Sequence, residues 1–281
     1  LDAGGTVQAT GLSARIRNVD ELPWPDWESF PIQEYIDRHQ INGINLGRSM
    51  PLLATRGCPY ECTFCSNPSM WTRRYITRNP KLLVDEMAHY VDKHDVVNFD
   101  FQDLTAIVNH RWAVALCEEM IERGLNVTWQ LPSGTRAEVF DDRLLNLMFE
   151  AGCRALSFAP ESGSEEILKS VKKQINLGAL IGAMKMAVRA KLKLSCFIVI
   201  GFPNERPDTL RATMKLIRRM ALIGVHDVSE SKFVPYPGSE LFRGLQETGK
   251  IEMDDAFFIS PMDFYTTDAP SYAGAISTRR L

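Results

Sequence analysis

Apolar, β-prone runs recur along the chain at residues 52–55, 96–101, 127–131, 155–159, 194–200 and 227–234, each of strand length. Between them the apolar positions change to helical spacing. Residues 80–93 place Leu82, Leu83, Met87, Tyr90 and Val91 on one side, and residues 110–123 do the same with Trp112, Leu116, Met120 and Ile121. Segments 141–150, 164–189 (with a break expected near Asn176) and 207–222 continue the series. Gly124, Gly152 and Gly224 stand where a helix C-cap favours a left-handed residue. Asp141, Ser164 and Asp208 stand near helix starts, where a short polar side chain caps free amides.

Strands alternating with helices predict an α/β fold with a parallel sheet and right-handed crossovers. The rhythm alone does not separate an open doubly wound sheet from a barrel. Both place functional groups at the C-terminal ends of the strands. The first strand runs directly into Arg56-Gly57-Cys58-Pro59-Tyr60-Glu61-Cys62-Thr63-Phe64-Cys65, three cysteines spaced C-x3-C-x2-C. Later strands end near Phe101-Gln102-Asp103, Ser133-Gly134-Thr135-Arg136, Glu161-Ser162-Gly163-Ser164, Gly201-Phe202-Pro203 and Val234-Pro235-Tyr236-Pro237. Carboxylates, hydroxyls and an arginine therefore converge on the end of the sheet that carries the cysteines. Such a mouth suits a zwitterion, with Asp103 or Glu161 facing an ammonium and Arg136 facing a carboxylate.

Before the first strand, residues 1–50 read as an extended lead-in. Gly4-Gly5 and Gly11 mark turns, and Leu22-Pro23-Trp24-Pro25 excludes a regular helix or central strand. The region 51–245 is the expected core domain and 246–281 a C-terminal extension, whose Phe257-Phe258 and Phe264-Tyr265 show no clear period. The chain opens on Leu1, which suggests a fragment of a longer protein.

Composition narrows the class. With 281 residues, 24% charged side chains and a net charge of −3, the chain lacks the basic footprint of a nucleic-acid binder. No apolar run reaches the length of a membrane span. Six cysteines are too few for a disulfide framework, and three crowd into one loop, so a reducing cytoplasm is expected. Thiolates suit zinc or iron–sulfur. A structural zinc site needs a fourth ligand and its paired knuckles, which the loop lacks. An iron–sulfur cube on three cysteines leaves one iron open to a small molecule. Cys117, Cys153 and Cys196 share no spacing pattern and read as buried thiols.

C-x3-C-x2-C with Phe64 before the last cysteine resembles the signature of the radical S-adenosylmethionine (SAM) enzymes. The resemblance extends through Thr128-Trp129, Arg136, Glu161-Ser162-Gly163-Ser164, Gly201-Phe202-Pro203 and Pro235-Tyr236-Pro237-Gly238, covering roughly residues 50–245. It implies a partial (β/α)6 TIM-like barrel with a [4Fe-4S] cluster on Cys58, Cys62 and Cys65. SAM would chelate the open iron through its amino and carboxylate groups. The family's glycine-rich motif after strand two is replaced here by Phe101-Gln102-Asp103, which makes Asp103 the expected acceptor for the methionine amine, with Gln102 beside it. By the same matching, Arg136 and Ser133 are expected at the carboxylate and Glu161 at a polar contact. Phe64, Ile200 and Val234 are expected around the adenine.

The Leu22-Pro23-x-Pro25 stretch resembles the connector after the cobalamin-binding domain in the cobalamin-dependent class, which includes methyltransferases and an anaerobic cyclase; cobalamin would then be held outside this chain. The implied chemistry is reductive cleavage of SAM to a 5′-deoxyadenosyl radical acting on an unactivated C–H bond of a small-molecule substrate. The implied partner is an electron donor such as flavodoxin or ferredoxin. A cobalamin-dependent methyltransferase, a cobalamin-free oxidoreductase or cyclase, and a zinc-binding structural protein are the three readings to separate.

Overall fold

The computed structural model describes residues 11, 14–40, 42–259 and 270–281. The Gly4-Gly5 turn and Phe264-Tyr265 lie outside the described residues. The sheet begins with β1 (Ser49–Leu52), three residues earlier than the expected run. After a sharp turn at Leu53 and Ala54 comes a two-residue strand, β2 (Thr55–Arg56), paired antiparallel with β3 (Ile76–Thr77). The rest of the sheet is β4 (Asn98–Phe101), β5 (Thr128–Thr135), β6 (Cys153–Glu161), β7 (Lys193–Ile200) and β8 (Asp227–Lys232).

The six strands β1-β4-β5-β6-β7-β8 are all parallel and lie in sequence order. This order decides the architecture. A doubly wound sheet reverses strand order at a switch point; here each crossover steps one way, so one handedness puts every helix on one side and curls the sheet. Among the described residues β1 and β8 do not pair, so the barrel is open: a partial (β/α)6 barrel.

Helices α1 (Ile32–Asp37) and α2 (Asn67–Met70) precede the crossover helices α3 (Pro80–His94), α4 (His110–Glu122), α5 (Asp142–Glu150), α6 (Glu165–Ser170), α7 (Leu177–Arg189) and α8 (Pro207–Ile223); α9 (Glu240–Glu247) and α10 (Asp255–Ile259) follow. Asp141 and Ser164 cap as expected, accepting from Leu144 N at 2.7 Å and Ile167 N at 3.4 Å. The expected cap at Asp208 is corrected: it lies inside the first turn of α8, and the N-cap is Arg206, whose backbone N–H donates to Thr209 Oγ1 at 2.9 Å. Asn176 breaks the long helical segment by capping α7, accepting from Ala179 N. The break leaves residues 171–176 as a loop under the barrel mouth.

Met50, Leu52, Phe99, Phe101, Trp129, Leu131, Leu156 and Phe158 alternate along the strands and join Leu83, Met87, Leu116, Met120, Leu145 and Met184 of the helices in one core. The positions between them face inward and are polar: Ser49, Asn98, Asp100, Gln130 and Ser157, all buried. Closed barrels fill such positions with branched aliphatics. A second cluster around Phe202, Phe233, Phe242 and Phe257 holds α9 and α10 against the later strands.

Two described parts of the lead-in pack on the barrel. Trp24 makes tilted ring contacts with His89 and Tyr90 of α3, and Ile36 of α1 is buried in the main core.

Candidate active site

The cysteine loop is fixed at its start by a glycine. Gly57 has φ +79°, and a Cβ there would lie 2.0 Å from the Arg74 carbonyl oxygen, so only glycine allows the hairpin strands to approach. Farther on, Cys65 N donates to Cys62 O at 3.1 Å, closing a tight turn. Thr63 ties the loop to two other elements: its N–H donates to Val171 O at 3.0 Å, and its carbonyl accepts from Leu241 N of α9 at 2.9 Å. Asn67, buried at the start of α2, secures the far side. Its Nδ2 donates to Cys58 O at 3.1 Å and its backbone N–H donates to Cys65 Sγ at 3.4 Å.

All three thiols of the loop are half-buried and free. Burial pushes the Cys58 and Cys62 thiols up, while the cations of Lys173 and Arg136 act on Cys62 in the opposite direction. Among the described residues, no group of three or more His, Cys, Asp or Glu side chains stands in metal-ligating geometry. What the loop offers is a donor set: three soft sulfurs from one turn, an N–H aimed at one of them, and buried cations beside them. That set fits a [4Fe-4S] cluster with one iron left to a non-protein ligand.

Two of the expected residues, Arg136 and Glu161, gather around this loop, which itself carries a third, Phe64. Arg136, just past β5, is buried, with its guanidinium 3.8 Å from the Tyr60 ring centroid. Its Nη1 donates to the Lys173 carbonyl, and its buried Nε has no partner. Glu161 ends β6 at φ +64°, a left-handed conformation rare outside glycine. Its Oε1 accepts from Lys173 Nζ at 2.7 Å, and that ammonium also lies 5.9 Å from the Phe64 ring centroid. Phe64 in turn packs on Phe202, centroids 5.6 Å apart.

The others stand elsewhere. Asp103 is buried with its carboxylate turned into the β1–β2 connection, where it accepts from Ala54 N at 3.1 Å and from Thr55 N and Oγ1 at 2.5 Å each. Burial pushes it up to about 6 in spite of these bonds. The expected acceptor for the methionine amine is thus engaged in ordering the root of the cysteine loop. Gln102 accepts from Asn42 Nδ2 at 3.1 Å and faces a cavity beside the lead-in. Ser133 lies inside β5, which runs on past Pro132 through a register shift. Ile200 ends β7, and Val234 follows β8; both are half-buried.

Lys173 is the residue that the sequence does not single out. It sits between two helices beside Lys172 and looks like one of a solvated pair. The available signal was Glu161: a carboxylate at a buried strand end needs a hydrogen-bonding or charged partner, and a nearby lysine is one candidate.

The Radical SAM superfamily family model matches residues 52–217. The chain is 28% identical over 230 residues to an uncharacterized methyltransferase of Pyrococcus horikoshii, covering 81% of this chain and 47% of that protein. It is 30% identical over 251 residues to the anaerobic magnesium-protoporphyrin IX monomethyl ester cyclase of Rubrivivax gelatinosus, covering 89% and 43%. The chain thus spans less than half the length of these relatives. Among solved structures, the fold is like that of the radical SAM methyltransferase TsrM from Kitasatospora setae (TM-score 0.64, 18% identity, 71% of this chain and 39% of that chain). It is also like the cobalamin-dependent SAM radical enzyme OxsB (TM-score 0.61, 15% identity, 72% and 35%). With the cysteine loop at the end of the first strand of a sequential six-stranded barrel, the chain belongs to the radical SAM superfamily of enzymes, whose members carry a [4Fe-4S] cluster and use SAM.

Proposed function

We propose that this chain is the catalytic core of an enzyme that generates a radical from SAM and directs it at an unactivated C–H bond of a small molecule. The observation that carries this reading is the placement of Arg136, Glu161 and Lys173, all buried, beside the three-thiol loop. When bound, the reduced cluster would supply one electron to the SAM sulfonium, and breaking the C–S bond would release methionine and a 5′-deoxyadenosyl radical.

The protein's part is to orient and to exclude water. Cys58, Cys62 and Cys65 hold the cluster, and Asn67 fixes the loop by its bonds to Cys58 and Cys65. Arg136, with an unpartnered Nε, and Lys173 present two cations to the methionine carboxylate. Ser133 lies on the same strand as the approach to Arg136 and is assigned a supporting polar contact there. Glu161 receives polar groups of the cofactor opposite Lys173. Phe64, Ile200 and Val234 supply apolar wall for the adenine. Asp103 orders the loop instead of meeting the amine, and Gln102 belongs to the neighbouring cavity.

For the whole protein, the similarity to named methyltransferases supports cobalamin-dependent methyl transfer, with cobalamin held outside this chain. Similarity to the Rubrivivax gelatinosus cyclase favours, as a second reading, an oxidative cyclisation. Either reaction takes its electron from an external reductant such as flavodoxin or ferredoxin. The test is anaerobic reconstitution with iron and sulfide, reduction, addition of SAM and chromatography for 5′-deoxyadenosine. The nucleoside is expected from the wild type and not from Cys→Ala variants at 58, 62 or 65. Formation that is indifferent to all three substitutions would overturn the assignment.

A further inference from the structure

The inward face of the sheet holds a buried carboxylate for which the cluster site has no use. Asp100, on β4, is 3% exposed. Its Oδ1 accepts from Asn98 Nδ2 at 2.8 Å and from Gln130 Nε2 at 2.6 Å, and Oδ2 receives no hydrogen bond from a described residue. No cation pairs with it among the described residues. A buried carboxylate without a counter-charge is costly unless something completes it.

A cavity of about 430 Å³ opens beside this carboxylate. Asp100, Gln102 and Asn42 give it polar floor, and Pro51, Trp27 and Tyr35 give it apolar wall. The floor is held in register by the Pro51–Asp100–Gln130 row across β1, β4 and β5. Gln130 in turn grips the lead-in through Ile44, accepting from its N–H at 3.1 Å and donating to its carbonyl at 2.9 Å. Trp27, Pro51 and Gln102 also border a second cavity of about 490 Å³ that reaches Thr55 and Arg56, at the root of the cysteine loop.

We propose that the inward face of β1 and β4 is a ligand-recognition pocket in which Asp100 is the counter-charge for an ammonium group at one end of a ligand with an apolar body. The cation meets the free carboxylate oxygen and the faces of Trp27 and Tyr35, an arrangement favourable to ammonium. The body lies along Pro51 and the lead-in. The far end then points through the second cavity toward Arg56 and the cysteine loop, where a reacting C–H bond would have to be presented. Calling this ligand the substrate rests on the proposed function; the pocket does not.

Calorimetric titration of the full chain without cluster or SAM tests the proposal, with phenethylamine as the cationic probe and 2-phenylethanol as its neutral counterpart. The amine is expected to saturate a single site and to bind at least about tenfold more tightly than the alcohol, a difference of about 1.4 kcal/mol. Asp100→Asn retains the Oδ1 acceptor for Asn98 and Gln130 and replaces the charged Oδ2 with an uncharged amide NH2. It should bring the amine down to the level of the alcohol and leave the alcohol unchanged. Trp27→Ala should weaken both. Absence of saturable amine binding, equal binding of the two probes, or amine binding unchanged in Asp100→Asn would overturn the proposal. Should Asp100→Asn fail to fold, the amine–alcohol comparison on the wild type and on Trp27→Ala decides. Because neither cluster nor SAM enters the titration, its failure leaves the radical chemistry standing, and a failure to form 5′-deoxyadenosine leaves the pocket standing.

Discussion

Lys173 Nζ stands 2.7 Å from Glu161 Oε1, with the two side chains only 9% and 8% exposed. An ion pair this buried gains Coulomb energy at the expense of desolvating both groups, so it is weak grounds for stability and better grounds for a binding role. Glu161 occupies a left-handed backbone conformation to make it. Glu161→Gln leaves an ammonium without its charge partner and is expected to lower stability by about 3 kcal/mol in urea unfolding. The double variant Glu161→Gln, Lys173→Met removes both charges and should recover most of that loss. Its SAM affinity, measured by equilibrium binding to the reconstituted protein, should stay at least about tenfold below wild type. Recovery of both stability and affinity would assign the pair to structure alone.

Gly57 gives a sharper test of loop geometry. Its φ is positive, and an alanine Cβ at this position would stand 2.0 Å from Arg74 O, so Gly57→Ala must displace the β2–β3 hairpin. A loss of about 1–3 kcal/mol is expected from the backbone conformation alone. Iron bound after reconstitution should fall by at least about half. Gly182, inside α7 with open space where a Cβ would stand, is the control. Gly182→Ala should gain about 0.5–1 kcal/mol and keep its iron. Equal iron in the two variants would contradict the role given to Gly57.

Asp100 gives the protein a pH signature. Burial raises its carboxyl from 3.8 to about 6, outweighing the hydrogen bonds from Gln130 and Asn98 that act the other way. The folded state therefore holds this proton more tightly than the unfolded state does. The resulting stabilisation is complete below about pH 4 and is lost as pH rises through about 6. Across that window a shift of this size corresponds to roughly 3 kcal/mol. Asp100→Asn does not titrate, so its stability relative to wild type should rise from pH 4 to pH 7 in parallel urea unfolding curves. A difference that stays flat over that range would show Asp100 to be unperturbed.

How far the sequence reaches is visible in particular residues. The strand–helix rhythm is legible in β4, β5 and β6 because each is buried on its helix side by large apolar residues such as Phe99, Trp129 and Phe158. Strand ends are less legible. β5 and β6 run through Pro132 and Pro160 with register shifts, where local propensity predicts a stop. The choice between an open doubly wound sheet and a barrel depends on pairing order, a long-range property absent from local periodicity. In the site, the thiols are legible from spacing alone. Lys173 is not, because its partner Glu161 is 12 residues away and only the fold brings them together. The bonds that Asp103 accepts from Ala54 and Thr55 are equally invisible in the sequence, because 48 or 49 residues separate the partners.

The central claim is that Cys58, Cys62 and Cys65 hold a [4Fe-4S] cluster whose open iron receives SAM. Electron paramagnetic resonance of the reconstituted, reduced protein with and without SAM tests it most directly. The account predicts a reduced-cluster signal whose g-values change when SAM is added, and no such signal when all three cysteines are alanine. A spectrum unaltered by saturating SAM, or a cluster that survives the triple substitution, would contradict it.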